Sequence, residues 1–193
     1  MKIAVILGSI APLEGGGFTF QDDLIDALLA LAPQSQHHFS IVGNFLSAIE
    51  NSSRQNAGNI SYLQFGNSRF DRFGRIVRTV LGENSYLARA VGIKTALDRF
   101  LMAKGTEMVW FATPFFRPTE LPYIYTVWDL QHRVQPWFPE VSSRGRWNYR
   151  DAYYGGAIRR AFRVIVANST AQREARTNNQ TEILHSGADG LRP

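Results

Sequence analysis

Residues Ile124 to Glu140 read IYTVWDLQHRVQPWFPE, and this stretch decides the fold. Leu121 to Val127 is apolar and rich in β-branched and aromatic residues, the composition of a buried strand. It runs into Trp128-Asp129-Leu130-Gln131-His132-Arg133, where an acid, an imidazole and a guanidinium follow one another closely. Open α/β sheets bind ligands just beyond the carboxyl ends of their strands, so a titratable cluster here marks a candidate site. Pro136 and Pro139 are expected to hold the chain extended and to forbid an early helix. The expectation is a stiff loop at a strand tip, where His132 is either a loop histidine with Asp129 turning the chain or an imidazole lining a cleft.

Outward from this centre, strands and helices alternate. Lys2 to Gly8 reads as a buried first strand, and Ala11 to Gly17 as a loop closing on Gly15-Gly16-Gly17. A helix should follow, with Thr19 as N-cap and Asp22 as the acidic half of a capping box. Phe20, Leu24, Ala27, Leu28 and Leu31 recur at helical spacing and should form its buried face. Further strands are expected at Phe39 to Val42, Ile60 to Phe65 and Met108 to Phe111. Helices are expected over Phe70 to Leu81, Leu87 to Leu101 and Arg146 to Phe162. Arg163 to Ala167 and Ile183-Leu184 read as the last strands, and His185 to Gly190 as a turn or hinge. This alternation predicts a Rossmann-like three-layer α/β/α lobe with a mainly parallel sheet.

The chain has 193 residues, 45% hydrophobic and 19% charged, which suits one large globular domain. It holds no cysteine, so disulfides and thiolate metal sites are excluded. The opening apolar run is too short for a signal sequence, and no run is long enough to span a bilayer. A cytoplasmic protein is the expectation. Lysine and arginine exceed the acids, 21 − 16 = +5, a balance that favours anionic partners without choosing among membrane, phosphate and nucleic acid.

Several motifs admit two readings. The Gly15-Gly16-Gly17 loop could bring bare backbone N–H groups to an anion, or be a turn. It is neither a Walker A motif nor G-x-G-x-x-G. Arg69, Arg72, Arg75 and Arg78 recur every third residue, opposite Phe70, Phe73, Val77 and Val80. Such a helix could lie on an anionic membrane or simply turn a solvated face outward. Arg144, Arg146, Arg150, Arg159 and Arg160 accompany Trp147, Tyr149, Tyr153 and Tyr154, which could stack on sugars or nucleic acid but read best as packing. No nucleic-acid signature accompanies them. His37-His38 has no partner at metal-ligand spacing, and three Asn-x-Ser/Thr triplets, at Asn51, Asn59 and Asn168, read as chance sequons.

The run D-L-Q-H, then F-P-E, then Arg-Trp-Asn-Tyr-Arg and VIVANST resembles the N-terminal half of a retaining glycosyltransferase of family 4, with the GT-B fold. The similarity extends from Thr126 to Thr170 and is supported by the Gly-rich start. It implies hexosyl transfer from a nucleotide-sugar to an acceptor hydroxyl with retention, and no metal or other cofactor. His132 would be the catalytic-site residue that contacts the transferred sugar. Gly15, Gly16, Gly17, Asp129 and Arg133 would be substrate-binding, with Asp129 helping to hold the loop. Residues 1–185 would form the acceptor-side lobe, and 186–193 the start of a linker to a donor-binding lobe that this chain lacks. The partners implied are the nucleotide-sugar, an acceptor glycan or lipid-linked glycan, and peripheral contact with an anionic membrane. Glu174 and Glu182 match the family's Glu-x7-Glu spacing, but that pair belongs to the second lobe and its occurrence here reads as coincidence. The alternatives are a non-catalytic nucleotide- or sugar-binding module, or a self-sufficient α/β hydrolase, the latter weakened by the lack of a G-x-S-x-G elbow.

Overall fold

The computed structural model describes residues 1–8, 16–43, 58–65, 95–114, 116–139, 143, 146–166, 172 and 183–185. The chain forms two compact units, Met1–Val109 with Arg117–Leu121, and Trp110–Phe116 with Pro122–Pro193. Both are built on parallel strands, so the α/β, Rossmann-like architecture expected from the alternation is present.

In the first unit the strands are β1 (Lys2–Ile6), β2 (His38–Gly43), β3 (Ile60–Gln64) and β4 (Met108–Phe111), ordered β3-β2-β1-β4. β1 and β2 run parallel with Lys2 opposite His38 and Ile6 opposite Val42. β2 and β3 do so with Phe39 opposite Ile60 and Gly43 opposite Gln64. Helix α1 (Gly16–Leu31) begins earlier than expected, so Gly16 and Gly17 are its first residues and not a free loop. The opening N–H groups of a helix need no intrahelical partner, which lets a glycine pair stand there. Thr19 therefore lies inside the helix and caps nothing. The buried stripe keeps Leu28 of the expected face but otherwise turns one residue on: Gln21, Ile25 and Leu28, with Ala32 just past the helix, are buried, while Phe20 and Leu31 are exposed. Both sets fit a 3.6-residue period, and burial chose the one containing a polar Gln21, whose amide donates to the Gly17 carbonyl at 3.4 Å.

Helix α2 (Ala96–Ala103) covers the end of the helix expected over Leu87 to Leu101 and is capped by Thr95, which is extended; residues 87–94 lie outside the described residues. The Thr95 hydroxyl accepts from the Asp98 N–H at 3.0 Å, and the Asp98 carboxyl accepts from the Thr95 N–H at 3.3 Å. The helix closes on Gly105, at φ +73. The Gly105 N–H bonds the Met102 carbonyl at 2.9 Å, and the Thr106 N–H the Leu101 carbonyl at 3.1 Å. This paired closure needs the left-handed residue that glycine supplies. The chain then enters β4, where the Glu107 N–H donates to the Lys2 carbonyl at 2.9 Å. The Glu107 carboxylate accepts from the Lys2 N–H at 2.7 Å.

The second unit takes up the end of β4 and adds β5 (Tyr123–Val127), β6 (Arg163–Val166) and β7 (Ile183–His185), in the order β4-β5-β6-β7. β5 pairs parallel with β6, Ile124 opposite Arg163 and Val127 opposite Val166. β6 pairs parallel with β7, Val164 opposite Ile183. Four of the five β5 residues are buried, as a strand covered on both faces requires. Its buried tyrosines keep their hydroxyls bonded: Tyr123 donates to the Ala157 carbonyl at 2.6 Å and Tyr125 to the Pro114 carbonyl at 2.9 Å. Between β5 and β6 lie a single helical turn, α3 (Gln131–Val134), and the longer α4 (Arg146–Arg160).

The arginine-rich segment 69–81, the pair Glu174 and Glu182, Gly15, and residues 186–193 lie outside the described residues. Among the described residues, no helix is long and apolar enough to cross a membrane. The Asn59 sequon is closed by its own bonding, because the Asn59 side-chain nitrogen donates to the Ala32, Ser35 and His37 carbonyls.

Candidate functional site

The site grows from the end of β5. After Val127 the chain leaves the sheet and Leu130 turns inward, 1% exposed. The Leu130 carbonyl then accepts from the Arg133 N–H at 2.8 Å and the Val134 N–H at 3.3 Å. These bonds make the helical turn α3, where an extended loop was expected. Proline restricts the residue before it and its own φ. Pro136 therefore constrains Gln135 and leaves a turn ending at Val134 free to form. The prolines limit the length of this helix but do not prevent it.

The turn also fixes the setting of His132. Its ring is fully buried, 0% exposed, and does not face open solvent. It stacks on Tyr154 at 5.4 Å between centroids with an 18° interplanar angle, and meets the Trp147 ring edge-on at 6.3 Å. Among the described residues neither ring nitrogen has a hydrogen-bond partner, and the buried Trp147 Nε1 has none either. Buried polar atoms are bonded in the great majority of cases, so three orphans in one aromatic cluster mark an unusual place.

A carboxylate stands beside the ring. Asp151 Oδ1 accepts a 2.6 Å hydrogen bond from Arg133 Nε and lies 3.8 Å from His132 Nε2. The first contact is a close, charge-assisted pair. The second is too long for a hydrogen bond but near enough for attraction. Burial lowers the His132 pKa below the ordinary imidazole value, helped by the Arg133 and Arg150 charges and opposed by Asp151 and Asp129. The ring is therefore neutral at pH 7. Tyr154 is pushed up to about 12 by burial and then by the Asp129 charge, so its phenol also stays neutral.

His132, Arg133 and Asp129 thus gather in the second unit, with Asp129 exposed on the segment between β5 and α3. Gly16 and Gly17 belong to the first unit, at the start of α1. Arg133 is tied to Asp151 through Nε and is not wholly free for a ligand. Sequence reasoning missed Asp151 and gave Trp147 and Tyr154 no connection to His132. A signal was there: Trp147, Asp151, Tyr154 and Ile158 fall at i, i+4, i+7 and i+11, one face of a helix. Ile158 is buried, which fixes that face inward. The packing reading of the aromatic residues holds for Tyr153, whose hydroxyl donates to the Pro114 carbonyl at 3.0 Å and whose ring meets Phe116. Among the described residues no three His, Asp or Glu side chains converge in a way that could hold a metal ion.

The chemistry on offer is that of a neutral, buried imidazole with both nitrogens unspent, flanked by an indole N–H and a carboxylate–guanidinium pair. No family model matches the chain, and no curated protein matches it at a significant level.

Proposed function

We propose that the chain is the acceptor-side lobe of a retaining hexosyltransferase, active together with a donor-binding second lobe. The observation that carries this reading is the position of the Asp129-Leu130-Gln131-His132 run, directly past the carboxyl end of a buried parallel strand. That is where open α/β sheets bind their ligands. The resemblance of residues 126–170 to family 4 glycosyltransferases supplies the reaction class.

In this reaction the bond from the anomeric carbon to the nucleotide diphosphate breaks, and a bond to the acceptor oxygen forms on the same face. The acceptor proton passes to the departing diphosphate. His132 meets the transferred sugar as a neutral hydrogen-bonding group, and the second lobe stabilises the charge on the leaving group. Gly16 and Gly17 offer backbone N–H groups at the start of α1, and Asp129 and Arg133 shape the turn around His132.

The test is a panel of nucleotide-sugars and acceptors, read by mass spectrometry and by anomeric NMR of the product. Retained transfer by the chain joined to a second lobe, with poor turnover by the 193 residues alone, is the expected result. Efficient multiple turnover by the chain alone would overturn the half-enzyme reading. The burial of His132 favours one other reading, a sugar-binding module without catalysis. Binding of nucleotide-sugar without any transfer by the two-lobed protein would select it. Peripheral membrane contact through the segment 69–81 belongs to the same proposal. Sedimentation with anionic liposomes should weaken with salt and with Arg72→Glu plus Arg75→Glu. Equal sedimentation with neutral lipid would leave the arginines as a solvated face.

A further inference from the structure

What His132 can hold depends on which ring nitrogen carries the proton. In a neutral imidazole one nitrogen is a donor and the other an acceptor, and their surroundings select between them. Here the surroundings are unequal. Nε2 points to within 3.8 Å of Asp151 Oδ1. A lone pair on Nε2 would be repelled by that oxygen, whereas an N–H is attracted to it. Nδ1 is buried with no partner. The same Oδ1 oxygen is already held at 2.6 Å by Arg133 Nε, which fixes the carboxylate in place and tempers its pull on the ring.

We infer that Asp151 is a positioning residue: it holds His132 as the Nε2–H tautomer, so that Nδ1 becomes an acceptor and pairs with the Trp147 indole N–H to bind one hydroxyl group. A hydroxyl is the group that fits, because it both donates and accepts. Its proton satisfies His132 Nδ1 and its lone pair satisfies Trp147 Nε1, the two orphans that Asp151 does not serve. The His132 and Trp147 ring centroids are 6.3 Å apart. The two rings meet edge to face, and their orphan nitrogens belong to one buried aromatic cluster. A water and a sugar hydroxyl share this chemistry. The sugar form rests on the transferase reading, and the tautomer does not.

The experiment uses the 193-residue chain labelled with 15N, its four histidines assigned by replacing His37, His38 and His185 singly. At pH 7.5 the His132 signals should show a protonated Nε2 and an unprotonated Nδ1. A protonated Nδ1 would overturn the inference. The charged and titratable groups around the ring are Arg133, Arg150, Asp129, Asp151 and the Tyr154 phenol. Asp151→Asn should move the His132 titration midpoint down and Arg133→Gln should move it up. Shifts of the same sign, or none, would show that the shared oxygen does not govern the ring. Trp147→Phe should move the Nδ1 signal if one hydroxyl bridges the two rings, and an unmoved signal would sink the bridge. Free hexoses are then added to the two-lobed protein. Movement of Nδ1 and the Trp147 indole together would identify the hydroxyl as a sugar's. Unmoved signals would make it water and remove His132 from sugar contact, defeating that part of the proposed function while leaving the tautomer intact.

Discussion

Asp98 and His132 are both buried polar side chains, 1% and 0% exposed, and they are treated in opposite ways. Asp98, in the first unit, is surrounded by donors. Its carboxyl accepts from the Thr95 N–H and hydroxyl, the Thr119 hydroxyl and the Glu120 N–H. It therefore caps α2 and ties residues 119–120 to that cap. His132, in the second unit, has two ring nitrogens, and neither finds a hydrogen-bond partner among the described residues. A buried polar group whose partners are complete is scaffold, because removing it strands every donor it served. One whose capacity is unspent costs stability and is best understood through what it can still bind. The two units teach this contrast without any catalytic assay.

The largest expected effect is at Asp98. Asp98→Ala removes a cap and leaves buried donors unpaired, and should cost about 3 kcal/mol of unfolding free energy. Urea unfolding followed by circular dichroism measures it, and a loss below about 1 kcal/mol would break the comparison from the scaffold side. His132→Ala should act differently. It opens a cavity beside Tyr154 and Trp147 worth about 2 kcal/mol of stability. If the proposed two-lobed enzyme is assembled, the substitution should lower kcat on the order of 10²–10³ while changing donor binding little. A stability loss equal to that of Asp98→Ala, with kcat untouched, would make His132 scaffold too.

A pH series sharpens the contrast further. The folded His132 pKa lies below the ordinary imidazole value, so between the two the unfolded chain holds more protons. Its contribution to stability is complete above about pH 6.5 and is lost as pH falls toward the lowered value. The slope this adds is at most about 1.4 kcal/mol per pH unit. His132→Gln should remove that part of the slope, and identical pH profiles for the two proteins would contradict the burial argument. The smallest effect is expected at Tyr154→Phe, which keeps the ring stacked on His132 and removes only the hydroxyl. A stability change within about 0.5 kcal/mol should result, and a larger one would assign the phenol a bonding role.

Much of the architecture was legible because strands of a covered sheet announce themselves. The run at Tyr123–Val127 and the short apolar runs at Lys2–Ile6 and Met108–Phe111 are strands within a residue or two of where composition puts them. Helix faces were harder. Phe20 and Gln21 begin stripes of the same period, and only tertiary burial separates them. The one-turn helix at Gln131–Val134 is too short to leave a periodic trace, and two nearby prolines pointed the other way. Asp151 was hidden by its setting among arginines, where a lone acid reads as charge balance. It took the fold to bring it to His132, 19 positions earlier in the chain, since no local pattern encodes a contact between a turn and the face of a later helix.

The bonds between Lys2 and Glu107 join residues 105 positions apart, whereas Asp98 and Thr119 close a loop of 21. Loop-closure entropy grows as three-halves RT times the logarithm of loop length, so the longer closure costs about 1.4 kcal/mol more. The order of assembly follows from this difference. The cap at Thr95–Asp98 can gather residues 119–120 while the β4-facing edge of β1 is still unpaired, and the left-handed turn at Gly105 then delivers Glu107 in the direction that edge must meet. On a ribosome the disparity is greater, because Lys2 emerges more than a hundred residues before its partner exists. The edge of β1 that faces β4 is thus among the last to be paired, although β2 lies close by in sequence on the other side. Until Glu107 arrives, that backbone edge is an open template, guarded only by the charge of Lys2 and the brevity of a five-residue strand.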